Sequence, residues 1–478
     1  MIELKTNAPQ YFADLADVVR VFFDEPVSPE AGDRLVSHAH APCAEGWVEI
    51  CAFQGMEERV SAPIASGPLE QKRLIKRAAK TCLYALLKRA TGKRPPWGSL
   101  TGIRPTRLFY EALEDGKTAG EAEAWLTDAF DVTPGKASLL GEIVSVQRAL
   151  VAPAADEYDL YVSIPFCPTR CAYCAFPAEA LGRGSLVEPY LNALMREIDL
   201  AALMMARKGL NLRAGYVGGG TPTALSAMQL DRLLTALRWK FPGALEWTVE
   251  AGRPDTITRE KLSVLRNLEI DRICVNPQTF QEKTLARIGR AHTTADVLTA
   301  FEIARSLDFH NINMDLIAAL PGETREDFEA TLDTALSLAP EGITMHTLAV
   351  KRASRLHEAG FTPEEPSLAE WMVDEARARL GEAGYQPYYL YRQKHMAGNL
   401  ENVGYAKPRQ ACLYNVDNME ETVSVLAVGA GAITKWLYPR EKRIERAPNV
   451  RNIETYIAQA EKMAERKQTL IFGKEQST

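Results

Sequence analysis

At 478 residues the chain has room for about three domains of roughly 150 residues each. Its 46% hydrophobic and 25% charged residues exclude disordered, collagen-like and fibrous classes. The 56 basic and 62 acidic residues give a formal net charge of -6 without a long basic block, which argues against binding to a nucleic-acid backbone.

In chain order, a first part spanning 1–155 reads as a small α+β domain. The β-branched runs Val18–Phe23 and Trp47–Phe53 predict strands, and a helical pattern follows from Leu69 to Arg89. The segment Gly92 to Gly98, rich in Gly and Pro, stops that helix. In a second part, 156–360, strands are predicted at about 159–164, 214–218, 246–251, 271–276, 312–317 and 343–349, with amphipathic helices between them, such as Val187 to Lys208 and Ala227 to Lys240. Strand followed by helix, six times, requires a parallel sheet with right-handed crossovers. Six units are two short of a full eight-fold barrel, so the α/β fold class expected is a partial (β/α)6 barrel, open at its edges, with its mouth at the carboxyl ends of the strands. A third part, 361–478, carries a helix over Ser367 to Ala383, aromatic strands around Tyr385 to Tyr391, a glycine-rich run at Gly429 to Gly431 and a polar C-terminal helix, and is expected to pack on the barrel.

Acidic residues Glu3, Asp14, Asp17 and Asp24 interrupt the stretch where an export signal needs an apolar core. The longest weakly polar run, Val423 to Ile433, is too short to span a bilayer. Eight cysteines, three of them within eight residues, suit a reducing cytoplasm better than a disulfide framework.

Those three carry the strongest chemical signal. Cys167, Cys171 and Cys174 follow the first barrel strand at spacing C-x3-C-x2-C, and three thiolates on one loop can hold three irons of a [4Fe-4S] cluster while the fourth iron stays open. A zinc site is the competing reading, but it needs a fourth Cys or His at finger-like spacing, and none follows Cys174. A redox C-x-x-C of Cys171 and Cys174 would leave Cys167 unexplained. Other polar residues fall at strand ends. Gly218-Gly219-Gly220-Thr221-Pro222 ends the second strand, Glu250 the third and Gln278 the fourth; Arg290 follows, and Asp315 lies in the fifth. Interior barrel positions are normally packed with Val, Ile and Leu, so polar groups there read as ligand contacts or as salt bridges.

With its aromatic Tyr173 directly before the last cysteine, this motif resembles that of the radical S-adenosylmethionine superfamily. The resemblance implies a cluster whose open iron chelates the amino and carboxylate groups of S-adenosylmethionine, and an electron that splits the sulfonium to give a 5'-deoxyadenosyl radical. More narrowly, residues 158–435 are similar to the oxygen-independent coproporphyrinogen III oxidase group. The shared features are Tyr161 six positions before the first cysteine, the glycine turn, Glu250, Gln278 with Arg290, and Asp315 before Leu320-Pro321-Gly322-Glu323-Thr324. The flanking segments Trp97 to Arg107, Tyr388 to Lys394, Asn399 to Lys407 and Gly429 to Gly431 look most like the HemZ-type, or coproporphyrinogen dehydrogenase, branch.

Carried over by motif, Tyr161, Gly219, Glu250 and Ile433 contact one S-adenosylmethionine, while Tyr173, Gly220, Thr221, Gln278, Arg290, Asp315 and Ala349 line a second site found in some of the group. The implied reaction is oxidative decarboxylation of two coproporphyrinogen III propionates to vinyl groups, giving protoporphyrinogen IX in haem biosynthesis. A reduced flavodoxin- or ferredoxin-like protein is the implied electron donor. A tetracarboxylate substrate suggests Arg104, Arg107, Arg392, Lys394, Lys407 and Arg409 as carboxylate contacts.

The chain departs from this pattern at Phe176, where the best-known oxidases carry a cysteine and the haem chaperones of the superfamily carry an aromatic residue. The chaperones also have a His-Asn-x-x-Tyr-Trp segment; here the stretch reads Cys412-Leu-Tyr-Asn-Val-Asp, without the histidine. A haem chaperone and an anaerobic haem-opening methyltransferase are therefore the alternative readings. Cys412 is expected near the mouth as a candidate proton or hydrogen donor. His38, His40 and Cys43 read as a plain loop, and Cys51, Cys82 and Cys274 as small buried hydrophobes.

Overall fold

The computed structural model describes residues 1–473 apart from Asp24, Ala31, Ile103, Ala149, Val151, Pro177, Arg183, Arg352, Pro363, Glu364, His395 and Lys442. Ile103, in the expected Trp97 to Arg107 segment, lies outside the described residues. Two compact units are present, Met1–Val144 with Gly398–Leu400, and Ser145–Ala397 with Glu401–Thr478.

In the first unit a five-stranded sheet runs in the order Val27–Ser28, Ile2–Thr6, Arg34–Cys43, Gly46–Phe53 and Met56–Pro63. Two helices, Phe12–Phe22 and Pro68–Thr91, share its apolar core. The run Val18–Phe23, expected as a strand, is instead largely the end of the first helix. β-branched composition favours a strand locally, but Leu15, Ala16, Val18, Val19 and Phe22 form one helical stripe that is fully buried, and burial outweighs propensity. The expected long helix is present, begun by Pro68 and stopped by Gly92 in a left-handed conformation at φ 70°.

His38, His40 and Cys43, expected in a loop, belong to the strand Arg34–Cys43. Alternation places both imidazoles on one face. There the buried Glu49 carboxylate meets His38 Nε2 at 2.8 Å and His40 Nδ1 at 2.7 Å, with Thr6 Oγ1 2.8 Å from His38 Nδ1. Cys51, Cys82 and Cys274 are buried as expected.

The second unit is built on an eleven-stranded sheet. Its centre is six parallel strands, Glu157–Ile164, Asn211–Gly219, Glu246–Gly252, Arg272–Val275, Ile312–Ala318 and Gly342–Thr347, each beside the next in chain order. The helices Val187–Lys208 and Ala227–Lys240 have the bounds their apolar spacing predicts. Ser226 with Gln229, Thr293 with Asp296 and Thr324 with Asp327 form capping boxes that start three of the barrel helices. Residues after 360 add strands to both sides of the same sheet. Asn402–Ala406 pairs antiparallel with the sixth barrel strand and Gln386–Tyr391 lies outside it. Ser424–Val428 runs parallel beside the first barrel strand, followed by Ile433–Tyr438 and Arg443–Pro448. The two edges do not meet, so the sheet is an open, partial barrel.

Candidate functional site

The cysteine loop leaves the carboxyl end of the first barrel strand. It is pinned where Phe166–Cys167 pairs in parallel with Glu179–Ala180. Further bonds fix its course: Leu181 N donates to Cys167 O at 2.7 Å, Ala172 N to Ile288 O at 2.8 Å and Leu356 N to Ala172 O at 2.9 Å. Arg253, 3% exposed and paired with Asp255, holds Thr169 through its carbonyl at 3.1 Å and its hydroxyl at 2.7 Å.

Cys167, Cys171 and Cys174 form no disulfide, and Thr221 Oγ1 donates to Cys167 Sγ at 3.5 Å. Burial pushes the Cys167 and Cys174 thiols up, and neighbouring cysteine sulfurs push the same way. A bound cationic group would favour their thiolate forms. Among the described residues, no set of three His, Cys, Asp or Glu side chains forms a group that could hold a single metal ion. A four-iron cube instead takes each thiolate at a different iron, and a loop carrying three thiols suits it.

The turn from Gly218 to Thr221 is stitched to this loop by Gly220 N to Ile164 O and Thr221 N to Phe166 O, both 2.8 Å. A Cβ on Gly220 would lie 2.6 Å from Phe166 O, and one on Gly218 would lie 2.8 Å from Glu250 Oε2, so side chains are excluded by contact. Gly219 adopts φ +106°, which side chains rarely tolerate. Beside the turn, Glu250 accepts a 2.6 Å hydrogen bond from Tyr216 OH. Tyr216, Tyr161 and Tyr414 form one aromatic cluster, with ring centres 6.2 Å apart for Tyr216 and Tyr161, 4.5 Å for Tyr216 and Tyr414, and 6.1 Å for Tyr161 and Tyr414. Burial pushes the Glu250 carboxyl up to about 7, helped by Asp315 and opposed by the Tyr216 hydroxyl, the Gly219 peptide and His346.

Across the mouth, Tyr173 OH donates to Gln278 Oε1 at 2.9 Å and accepts from Arg290 Nη2 at 3.0 Å. Gln278, at φ 70°, donates its backbone N–H to Asp315 O at 3.0 Å, and its Nε2 donates to the same carbonyl at 3.3 Å. Arg290 Nε has no hydrogen-bond partner among the described residues. The structure thus gathers Tyr173, Gln278, Arg290 and Asp315 beside the cysteine loop, and Tyr161, Gly219 and Glu250 around the glycine turn. Ala349 follows the sixth strand and bridges to Met396, and Ile433 stands 44% exposed at the start of its strand.

Sequence reasoning missed His346, whose Nε2 lies 3.7 Å from Asp315 Oδ2 and whose Nδ1 lies 3.5 Å from Tyr391 OH. A histidine near the end of the otherwise apolar and hydroxylated strand Gly342–Thr347 was the available signal. Cys412, expected near the mouth, lies deeper, beside the first half of the third strand. It caps the helix Leu413–Glu420, whose first peptide donates to Glu246 at 3.1 Å, and Glu246 begins the third strand. Cys412 is 1% exposed, its sulfur lies 3.8 Å from Thr248 Oγ1, burial pushes its thiol up, and it shares a buried cluster with Tyr216 and Tyr414, one layer below Glu250.

Of the expected carboxylate contacts, Arg392 is buried, which brings its guanidinium down to about 10 against the pull of Glu401. Lys407 belongs to the amino ends of the parallel strands, with its peptide on Glu341 O and its ammonium 5.5 Å from the Tyr385 ring. Arg409 follows it there in a left-handed conformation. Lys407 and Arg409 therefore do not fit substrate contacts at the mouth, whereas Arg392 follows Tyr391 at the carboxyl end of its strand, the mouth side of the sheet.

The Glu250 environment has a testable consequence. A carboxyl raised to about 7 keeps its proton in the folded chain where the unfolded chain has lost it, so the stability this gives is complete below about pH 4.5 and lost as pH rises through 7. Stability of the metal-free protein should therefore fall over that window by up to about 1.4 kcal/mol per pH unit from this group, and Glu250→Gln should remove that share. Urea midpoints measured between pH 5 and 8 for both proteins check it.

A sequence model of the radical SAM superfamily matches residues 161–335. The oxygen-independent coproporphyrinogen-III oxidase-like protein HemZ of Bacillus subtilis is 40% identical over 405 residues, 82% of this chain and 80% of the relative. The heme chaperone HemW of Bacillus subtilis is 39% identical over 195 residues, 40% of this chain and 50% of the relative. The solved coproporphyrinogen III oxidase (HemN) from Escherichia coli superposes with a TM-score of 0.53 at 23% identity, over 69% of this chain and 73% of that one, a likeness of fold.

Proposed function

The chain belongs to the radical SAM superfamily, within its coproporphyrinogen-III oxidase-like group, and from that premise we propose that it decarboxylates two propionates of coproporphyrinogen III to vinyl groups without oxygen. The observation that carries this reading is the meeting of the three-cysteine loop, the Gly218 to Thr221 turn and Glu250 at the carboxyl ends of the barrel strands.

When bound, the cluster with S-adenosylmethionine supplies a radical able to take a hydrogen atom from the carbon β to a propionate carboxylate; carbon dioxide then leaves, and one electron passes to an acceptor. Cys167, Cys171 and Cys174 would hold three irons, with Thr221 Oγ1 donating to the Cys167 sulfur. The glycine turn would allow close backbone approach to the methionine portion, and Glu250, oriented by Tyr216, would accept from polar hydrogens of the bound nucleotide. Tyr173, Gln278 and Arg290 form a hydrogen-bonded wall beside the loop, and Arg290 brings a positive charge for a carboxylate. His346, facing Asp315, can hold or pass a proton near the same wall. A reduced flavodoxin- or ferredoxin-like protein would deliver the initiating electron. Among the described residues no helix is long and apolar enough to cross a membrane.

One observation favours a second reading, haem chaperoning: Phe176, 58% exposed two residues beyond Cys174, stands where the oxidases carry a cysteine. The likeness to heme chaperones over 40% of the chain points the same way. Anaerobically reconstituted protein incubated with S-adenosylmethionine, a reductant and coproporphyrinogen III separates the two. Carbon dioxide and vinyl product in step with 5'-deoxyadenosine are the expected result; stoichiometric haem uptake without product would overturn it.

A further inference from the structure

The helix Pro68–Thr91 carries Arg73, Lys76, Arg77 and Lys80 at i, i+3, i+4 and i+7, a single basic stripe. Like charges at this spacing repel along a helix, and acidic partners from outside it, Glu111 and Asp14, meet Arg73, Lys76 and Arg77. It forms one wall of a cavity of about 290 Å³ within the first unit, and Arg104 and Arg107 line the facing wall. Phe130, Leu100 and Leu108 give the cavity apolar surface, and Thr81 and Ser99 also line it. Among the described lining residues six are basic and one, Glu111, is acidic. That carboxylate is shared by Arg73, by Arg77 at 3.6 Å and by Arg107 at 3.8 Å, while Lys76 pairs with Asp14 at 2.7 Å. Burial and the neighbouring charge of Arg73 pull the Arg77 guanidinium down despite Glu111. In a chain of net charge -6, this concentration of positive charge around an apolar recess calls for an anionic ligand.

We propose that this cavity is a binding site for a small phosphorylated molecule of the nucleoside-diphosphate class. Charge density selects phosphate. One phosphate group brings close to two negative charges and three acceptor oxygens in a compact volume, whereas carboxylates bring one charge each and would have to be spread apart. Guanidinium forks and lysine ammonium groups are the donors that recognise phosphate oxygens, and the Phe130 and Leu100 surface suits an aromatic base. At about 290 Å³ the cavity lies just below the usual range of small-molecule pockets, enough for the diphosphate group with part of the nucleoside.

Calorimetry on the full-length protein with pyrophosphate, ADP and coproporphyrin III tests this, with hydrogen exchange read on the same samples. Pyrophosphate and ADP should bind, more weakly as salt is raised, and should protect Pro68–Thr91 and Thr106–Glu114. Excess S-adenosylmethionine should not displace them. The double variant Arg73→Gln with Lys80→Gln should weaken both by about ten- to hundredfold while leaving S-adenosylmethionine binding unchanged. The proposal is overturned if neither phosphate probe binds at millimolar concentration, or if protection falls only on the barrel. It is also overturned if coproporphyrin III alone binds and is lost in the variant, since the cavity would then serve carboxylates.

Discussion

Cys171→Ala is expected to lose the iron taken up on anaerobic reconstitution and to reduce cleavage of S-adenosylmethionine to background. The thiol stands 8% exposed in the middle of the loop, and the loop's course depends on backbone bonds of its neighbours, Ala172 to Ile288 and Leu356 to Ala172. Removing the sulfur therefore removes a ligand while the loop keeps its anchors. Metal-free Cys171→Ala should melt within a few degrees of the metal-free parent, a change that corresponds to about 1 kcal/mol or less. Cys43→Ala, at an exposed cysteine of the first unit, is the matched control and should keep full iron and full cleavage. Iron content by chemical assay and 5'-deoxyadenosine by chromatography decide it. Undiminished iron in Cys171→Ala would remove the site from the cysteine loop.

A comparably large effect, on stability, is expected at a buried ion pair. Glu197, on the helix Val187–Lys208, has no solvent exposure, and its carboxylate accepts from Gly429 N at 2.8 Å, Asn449 Nδ2 at 2.9 Å and Tyr456 OH at 2.5 Å as well as from the equally buried Lys467. Burial pulls the Lys467 ammonium down, and Glu197 is the group that holds its charge. Glu197→Gln keeps the shape but strands that charge, which should cost about 3–5 kcal/mol. Pairing it with Lys467→Met should recover most of the loss, because the stranded charge is gone.

The same network backs the glycine run the sequence singles out. Ser163 Oγ donates to Ala430 O at 2.9 Å, and Tyr190 OH joins Ser163 O to Ala430 N, so the late turn is tied to the first barrel strand. Glu197→Gln should thus also weaken S-adenosylmethionine binding, whereas an unfolding free energy within 1 kcal/mol of the parent would mean that the pair contributes little.

The barrel was legible because its parallel strands are buried on both faces and read as β-branched runs between amphipathic helices. Val187–Lys208 and Ala227–Lys240 could be bounded to the residue for that reason. The first unit was less so. Its helix Phe12–Phe22 is written in valine and phenylalanine, and only the partner helix and sheet that cover Val18, Val19 and Phe22 decide against a strand. His38 and His40 lacked a local pattern because their common partner, Glu49, comes from the next strand.

At the site, the cysteines, the glycine turn, Glu250 and the Tyr173, Gln278 and Arg290 group were readable as motifs of fixed spacing. The spacing of Cys412 says nothing about its depth in the barrel, where it lies beside Glu246 and Thr248. The Tyr161, Tyr216 and Tyr414 stack joins residues from three separate segments and has no counterpart in the linear sequence.

The most direct test of the central claim is Mössbauer spectroscopy of iron-57-reconstituted, oxygen-free protein before and after addition of S-adenosylmethionine. Three cysteine-held irons and one open iron predict a four-iron spectrum in which a single iron changes its parameters when the nucleotide binds. A spectrum indifferent to the nucleotide, or protein prepared without oxygen that carries zinc and no cluster, would contradict it.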